Sequence, residues 1–240
     1  MEHNTPAIFC KICFILMEIT ISAVPYQLLR KTNPEIFLPL PEYFSKIPFE
    51  KIKSLMFLYD KDQIEEIKIL CNYFSYEINL QIGATPEQMH ELLSIKPPKA
   101  TLSNLQRKDN CLDLLLFKEQ IQELLQNFQF PKENLKVRIE ADPEQIKTAS
   151  KLGFSKAELD FAYPFKNEKE FQKFDETIKV AQKMGVFVSF GKGLKLKEIK
   201  DILAKFVPDE LVVDIPFYQF SFQNGIKYSI DFFDDLKKKF

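Results

Sequence analysis

Two β-rich runs carry the residues best suited to moving protons. "LKVRIEA" holds Arg138 and Glu140, and "AELDFA" holds Glu158 and Asp160. In each run one residue separates the two charged side chains, so on a strand they share a face, and neighbouring strands would point all four inward. Clustered carboxylates can split their pKa values and serve as general acid and base. Arg138 can equally neutralise Glu140 or Glu158, and this structural network is the favoured reading of the cluster.

A third candidate is Lys192 in "FVSFGKGLKLKEI", a buried strand that breaks at a glycine, presents a lysine between Gly191 and Gly193, and then starts a helix. Backbone N–H groups, a helix dipole and an ammonium would converge there on an anion. A lysine whose pKa is lowered by burial could instead form a Schiff base with a carbonyl substrate. The structural alternative pairs Lys192 with Glu158 or Asp160, because charges in a confined space must be compensated.

The only histidines are His3 and His90, the latter inside a helical pattern. Neither falls at a strand end, which excludes a Ser-His-Asp triad, a Cys-His pair and a histidine metal site. Cys10 and Cys13 form a lone CxxC with no second ligand pair, so no metal and no cofactor is expected. Four cysteines in all suit a reducing cytoplasm. With 33 basic and 34 acidic side chains the chain has no field to gather nucleic acid or an anionic membrane. The apolar stretch "AIFCKICFILM" is too short to cross a bilayer and lacks the basic start of a signal peptide.

These residues need a scaffold, and the chain alternates short β-rich runs with amphipathic ones eight times. The predicted strands are 18–24, 54–60, 77–82, 99–105, 135–141, 157–162, 186–191 and 210–215. Helical spacing runs through Phe171, Phe174, Ile178, Ala181 and Met184, and through Leu114, Phe117, Ile121, Leu124 and Phe128. "TPEQ" at 85 and "DPEQ" at 142 read as an N-cap, a first-turn proline and a capping-box glutamine. Eight β-α units in this length predict an α/β fold, a closed (β/α)₈ TIM barrel in a single domain over 17–240, with an open doubly wound sheet as the alternative. Residues 1–16 are expected to be an extension or a mistaken start. In such a barrel, function collects at the carboxyl ends of the strands, which adds Gln81, Thr101 and Asp214 to the candidates.

From about residue 77 the order of motifs resembles pyridoxine 5'-phosphate synthase. The matching stretches are "INLQIGATPEQMHELLSIKPPKATLSN", "VRIEADPEQIKTASKLGFSKAELDFAYPF", "MGVFVSFGKGLKLKEIKDIL" and "PDELVVDIPFYQFSFQNGIKYSIDFF". The resemblance implies a barrel that condenses 1-deoxy-D-xylulose 5-phosphate with 3-amino-2-oxopropyl phosphate. It places the family's catalytic glutamate at Gln81 and its two catalytic histidines at Phe57 and Lys192. A phosphate-binding arginine falls at Tyr59, and a Gly-His pair falls at Asp214 and Ile215. Thr101 at the sugar-phosphate contact, Glu158 at the transition-state glutamate, and Gly193 are retained. Losing one general acid or base typically costs about 10²- to 10⁴-fold, and here several are replaced, so the ancestral reaction is expected to be impaired or lost.

Three readings follow: an atypical synthase, a barrel enzyme with new chemistry on Lys192 and Glu158, or a non-catalytic binding or assembly subunit. The expected partner is a small phosphorylated or carbonyl metabolite, with no nucleic acid and no membrane. The resemblance further implies a homo-oligomer.

Overall fold

The computed structural model describes residues 17–47, 51–161, 163–191 and 193–240, apart from 74–76. Lys192, His3, Cys10 and Cys13 therefore lie outside the described residues. The strands are β1 Glu18–Ser22, β2 Ser54–Leu58, β3 Glu77–Gly83, β4 Lys99–Ser103, β5 Leu135–Glu140, β6 Lys156–Asp160, β7 Phe187–Phe190 and β8 Glu210–Val213. All pair in parallel with their sequence neighbours, and β1 pairs with β8 through Glu18↔Glu210 and Ile19↔Leu211, so the sheet closes. The fold is a (β/α)₈ barrel, and the open doubly wound alternative is ruled out by that closing pair.

The helices are α1 Val24–Thr32, α2 Leu40–Phe44, α3 Ile64–Tyr73, α4 Pro86–Ile95, α5 Lys118–Asn127, α6 Pro143–Lys151, α7 Glu168–Met184, α8 Leu196–Leu203, α9 Ile215–Asn224 and α10 Ile226–Lys237. None is long and apolar enough to cross a membrane among the described residues. Both proline starts behave as helix caps. Thr85 accepts from the Gln88 N–H at 3.4 Å, and Asp142 accepts from the Glu144 N–H at 2.8 Å. The glutamines do not close the boxes, however. Gln88 Oε1 accepts from the Gly83 N–H at 2.5 Å and Gln145 Oε1 from the Leu114 N–H at 2.9 Å. Each thereby ties its helix to the preceding loop or strand instead of to its own first turn.

The long helix expected from Leu114 onward begins only at Lys118. Residues 114–116 form a separate turn capped by Asp113, whose carboxylate accepts from the Leu115 and Leu116 N–H groups, both at 3.1 Å, and from Gln145 Nε2 at 2.9 Å. The helix of residues 168–184 forms as expected and ends on Gly185, whose φ of 66° is the left-handed conformation that a glycine cap adopts easily.

Alternation sorts the strand residues. Leu55, Phe57, Leu80, Ile82, Ala100, Leu102, Val137, Ile139, Ala157, Leu159, Phe190 and Leu211 are buried in one apolar cluster with the helices. Burying each such large side chain is worth about 1.5–3 kcal/mol. Phe57 meets Phe44 of α2 edge-on with ring centroids 5.2 Å apart. The alternate positions fill the barrel with polar groups: Thr20, Ser54, Asn79, Gln81, Thr101, Lys136, Arg138, Glu158, Ser189 and Glu210 are all buried.

Candidate functional site

The polar interior has two levels. In the lower one Lys136 ion-pairs with Glu210 Oε2, which also accepts from the Ser189 hydroxyl, while Glu210 Oε1 accepts from Thr20. Thr20 and Ser54 share a further hydrogen bond at 2.6 Å. Burial alone pushes the Glu210 carboxyl up; the Lys136 ammonium and the hydrogen bonds outweigh it and hold it at about 2. Every oxygen here has a partner.

The upper level holds the predicted cluster. Arg138, 1% exposed, donates through Nη1 to Glu158 Oε1, through Nη2 to Asp160 Oδ1 at 2.6 Å, and through Nε to the Asp109 carbonyl at 3.0 Å. Register explains the first contact, since Arg138 lies directly beside Glu158. Burial disfavours the cation, yet the Glu158 and Asp160 carboxylates prevail and raise the Arg138 pKa above its ordinary value. Glu140 corrects the expectation that four charges turn inward. It is 54% exposed along its side chain and pairs outside the cluster with Arg107, at 2.7 Å, which also holds Asp109.

The two remaining interior candidates behave differently. Gln81 is fully buried, and neither its Oε1 nor its Nε2 has a hydrogen-bond partner among the described residues. Glu158 Oε2 is likewise buried and unmatched. Buried polar atoms are paired in the great majority of cases, and leaving one unmade costs about 1–3 kcal/mol. These three atoms therefore keep their hydrogen-bonding capacity unspent among the described residues. Gly191 fits the same picture: a Cβ there would lie 2.8 Å from Glu158 Cδ, so only glycine lets the chain leave β7 past that carboxylate.

The other candidates are already engaged. Thr101, beside Gln81 in register, donates to Asn79 Oδ1 at 3.0 Å. Gly193 donates its N–H to Asp214 Oδ2 at 3.3 Å, and Asp214 precedes α9. Phe57 faces the helices instead of the barrel interior, and His90 sits on α4 with its ring 4.8 Å from Phe128. Two cavities flank the cluster at the carboxyl ends: one of about 210 Å³ beside Gly83, Thr85, Ser103 and Asn104, and one of about 280 Å³ beside Glu140, Asp160, Glu170 and Lys173.

The lower cluster of Lys136 and Glu210 was missed by sequence reasoning. Its signal is in the sequence, since Lys136 is two residues before Arg138 on the same strand face, but it lies at the strand beginnings, away from the carboxyl ends where barrels collect function. Arg107 and Asp109 lie in an irregular loop that no period exposes.

A closed (β/α)₈ barrel with a buried acid–arginine cluster defines the class of protein. Residues 60–218 match the model of the pyridoxal phosphate biosynthesis protein PdxJ, and the chain belongs to that family. Pyridoxine 5'-phosphate synthase of Geotalea uraniireducens is 31% identical over 152 residues, covering 59% of this chain and 64% of that protein. The same enzyme of Geobacter sp. strain M21 is 29% identical over the same shares. The match thus spans less than two thirds of these relatives' length. Among solved structures, tryptophan synthase α-subunit from Pyrococcus furiosus aligns with a TM-score of 0.53 at 11% identity, covering 93% of this chain and 96% of that one. KDPG aldolase from Legionella pneumophila aligns with a TM-score of 0.55 at 14% identity, covering 90% and 92%. At these identities the likeness is one of fold.

Proposed function

We propose that this chain is a pyridoxine 5'-phosphate synthase-like barrel in which the condensation of 1-deoxy-D-xylulose 5-phosphate with 3-amino-2-oxopropyl phosphate has been lost. Its interior instead binds a small phosphorylated or carbonyl metabolite. The observation that carries this reading is Arg138, whose guanidinium spans Glu158 and Asp160. Glu158 Oε1 and Asp160 Oδ1 are occupied by the guanidinium and are not open to take a substrate proton. The other catalytic positions support the same reading: Gln81 has no acid or base character, and Phe57 is committed to packing against Phe44. Gln81 and Glu158 Oε2 offer a ligand one donor and two acceptors. Assembly as a homo-oligomer in the cytoplasm belongs to the same proposal.

The test is to mix the purified chain with both substrates and follow the fluorescence of pyridoxine 5'-phosphate, with calorimetry on each substrate alone. No product above background, together with binding that Gln81→Leu weakens, is the expected outcome. Product formation would overturn the loss of the condensation. A borohydride-trapped adduct of Lys192 with a small carbonyl compound would replace simple binding with Schiff-base chemistry.

A further inference from the structure

The amino-terminal end of the barrel, opposite the candidate active site, holds a cavity of about 340 Å³. Four lysines line it, Lys53, Lys99, Lys136 and Lys156, against three glutamates, Glu18, Glu77 and Glu210. The glutamates are each answered. Glu210 takes Lys136, Glu77 takes Lys99 at 2.5 Å, and Lys53 lies between Glu77 at 3.5 Å and Glu18 at 3.8 Å. Lys156 has no ion-pair partner among the described residues. Its ammonium sits 5.9 Å from the centre of the Phe187 ring, another wall of the cavity.

The cavity therefore carries one ammonium more than its carboxylates neutralise. A half-buried cation without a counter-charge is unfavourable, and the surroundings of Lys156 make it more so. Burial lowers its pKa, and the neighbouring Lys99 and Lys136 ammoniums lower it further, against the opposing pull of Glu18 and Glu210. Two amides complete the lining, those of Asn79 and Asn134. Asn79 accepts from Thr101 through Oδ1, and its amide nitrogen can only donate.

We infer that this cavity is a binding site for a phosphate-sized oxyanion, with Lys156 as its principal contact and the two asparagine amides as hydrogen-bond donors. A free phosphate and the phosphate of a small monoester share this chemistry, and the volume admits either. The site is independent of the reading given above for the carboxyl end.

The experiment is lysine acylation of the full chain, resolved by peptide mass spectrometry, with and without inorganic phosphate or glycerol phosphate. Exposed Lys183 serves as the internal control. Bound anion favours the protonated amine, so phosphate is expected to slow labelling of Lys156 roughly fivefold and leave Lys183 unchanged. Stronger protection by glycerol phosphate would identify the monoester as the ligand, and stronger protection by inorganic phosphate the free ion. Unchanged labelling of Lys156 under both anions overturns the site. In calorimetry Lys156→Gln is expected to weaken phosphate binding by about tenfold and Lys156→Arg to retain it. Because the readout is read at Lys156 itself, binding at the carboxyl end leaves it unmoved. A glutamine variant that binds phosphate as the native chain does would place the anion elsewhere and end the proposal.

Discussion

The barrel encloses two buried ion pairs only one layer apart, and they are finished to different degrees. Around Glu210 both carboxylate oxygens are met, by Thr20 on one side and by Lys136 and Ser189 on the other. Around Glu158 one oxygen is met by Arg138 and the other by nothing described, and Gln81 has an entirely unmatched amide. A satisfied network rigidifies a core, whereas unmatched buried groups mark a place where something else is meant to bind. On the proposed reading the lower pair is scaffold and the upper pair site, although their residue types are nearly the same.

The largest effect that tests this contrast is Lys136→Met. It strands a buried carboxylate, and chemical denaturation is expected to show a loss of about 3–5 kcal/mol. Removing both charges in Lys136→Met/Glu210→Leu should recover most of that loss, since a buried pair often contributes little over an apolar one. A single variant that unfolds at the native denaturant concentration would mean the lower pair is no part of the scaffold.

Acid gives the next largest effect. Glu210 titrates at about 2 in the folded chain, below its ordinary value of 4.5. A carboxyl depressed by folding adds stability that is present above its unfolded pKa and lost as pH falls toward the folded one. Stability is therefore expected to drop by about 3 kcal/mol between pH 4.5 and 2 through this group. Glu210→Gln should remove that part of the acid limb. A Gln variant with an unchanged limb would assign acid sensitivity to other carboxylates.

Much of this arrangement was open to sequence reasoning, because a parallel barrel imposes a rigid code. Every strand buries both faces, period two separates helix-facing from interior residues, and all eight strands were placed within two residues at each end. The Arg138–Glu158 contact followed from the same alternation. What escaped depends on side chains reaching across elements. Asp113, held by Gln145 of α6, caps a separate turn, so the four residues from Leu114 to Phe117 that periodicity alone joins to α5 stand apart from it. Glu140 leaves the cluster because Arg107, on an irregular loop, competes for it. The capping glutamines spend their oxygens on Gly83 and Leu114, neighbours that no local rule names.

At the upper level the same chemistry should cost less. Glu158→Gln keeps Asp160 on Arg138, so the guanidinium retains one carboxylate. The expected loss is about 1–2 kcal/mol, smaller than that of Lys136→Met, measured under identical denaturation conditions.

The smallest effect has the opposite sign and is the most discriminating. Gln81 is fully buried, and among the described residues its amide oxygen and nitrogen are both unmatched, so their desolvation has no compensating bond there. Gln81→Met keeps the length of the side chain and removes both polar atoms. It is expected to stabilise the protein by about 1 kcal/mol while weakening whatever ligand the interior binds, as happens where a site is kept at the expense of stability. If the variant is instead destabilised by a comparable amount, Gln81 has a partner in the folded chain. The upper level would then be scaffold like the lower one, and the distinction between the two pairs would disappear.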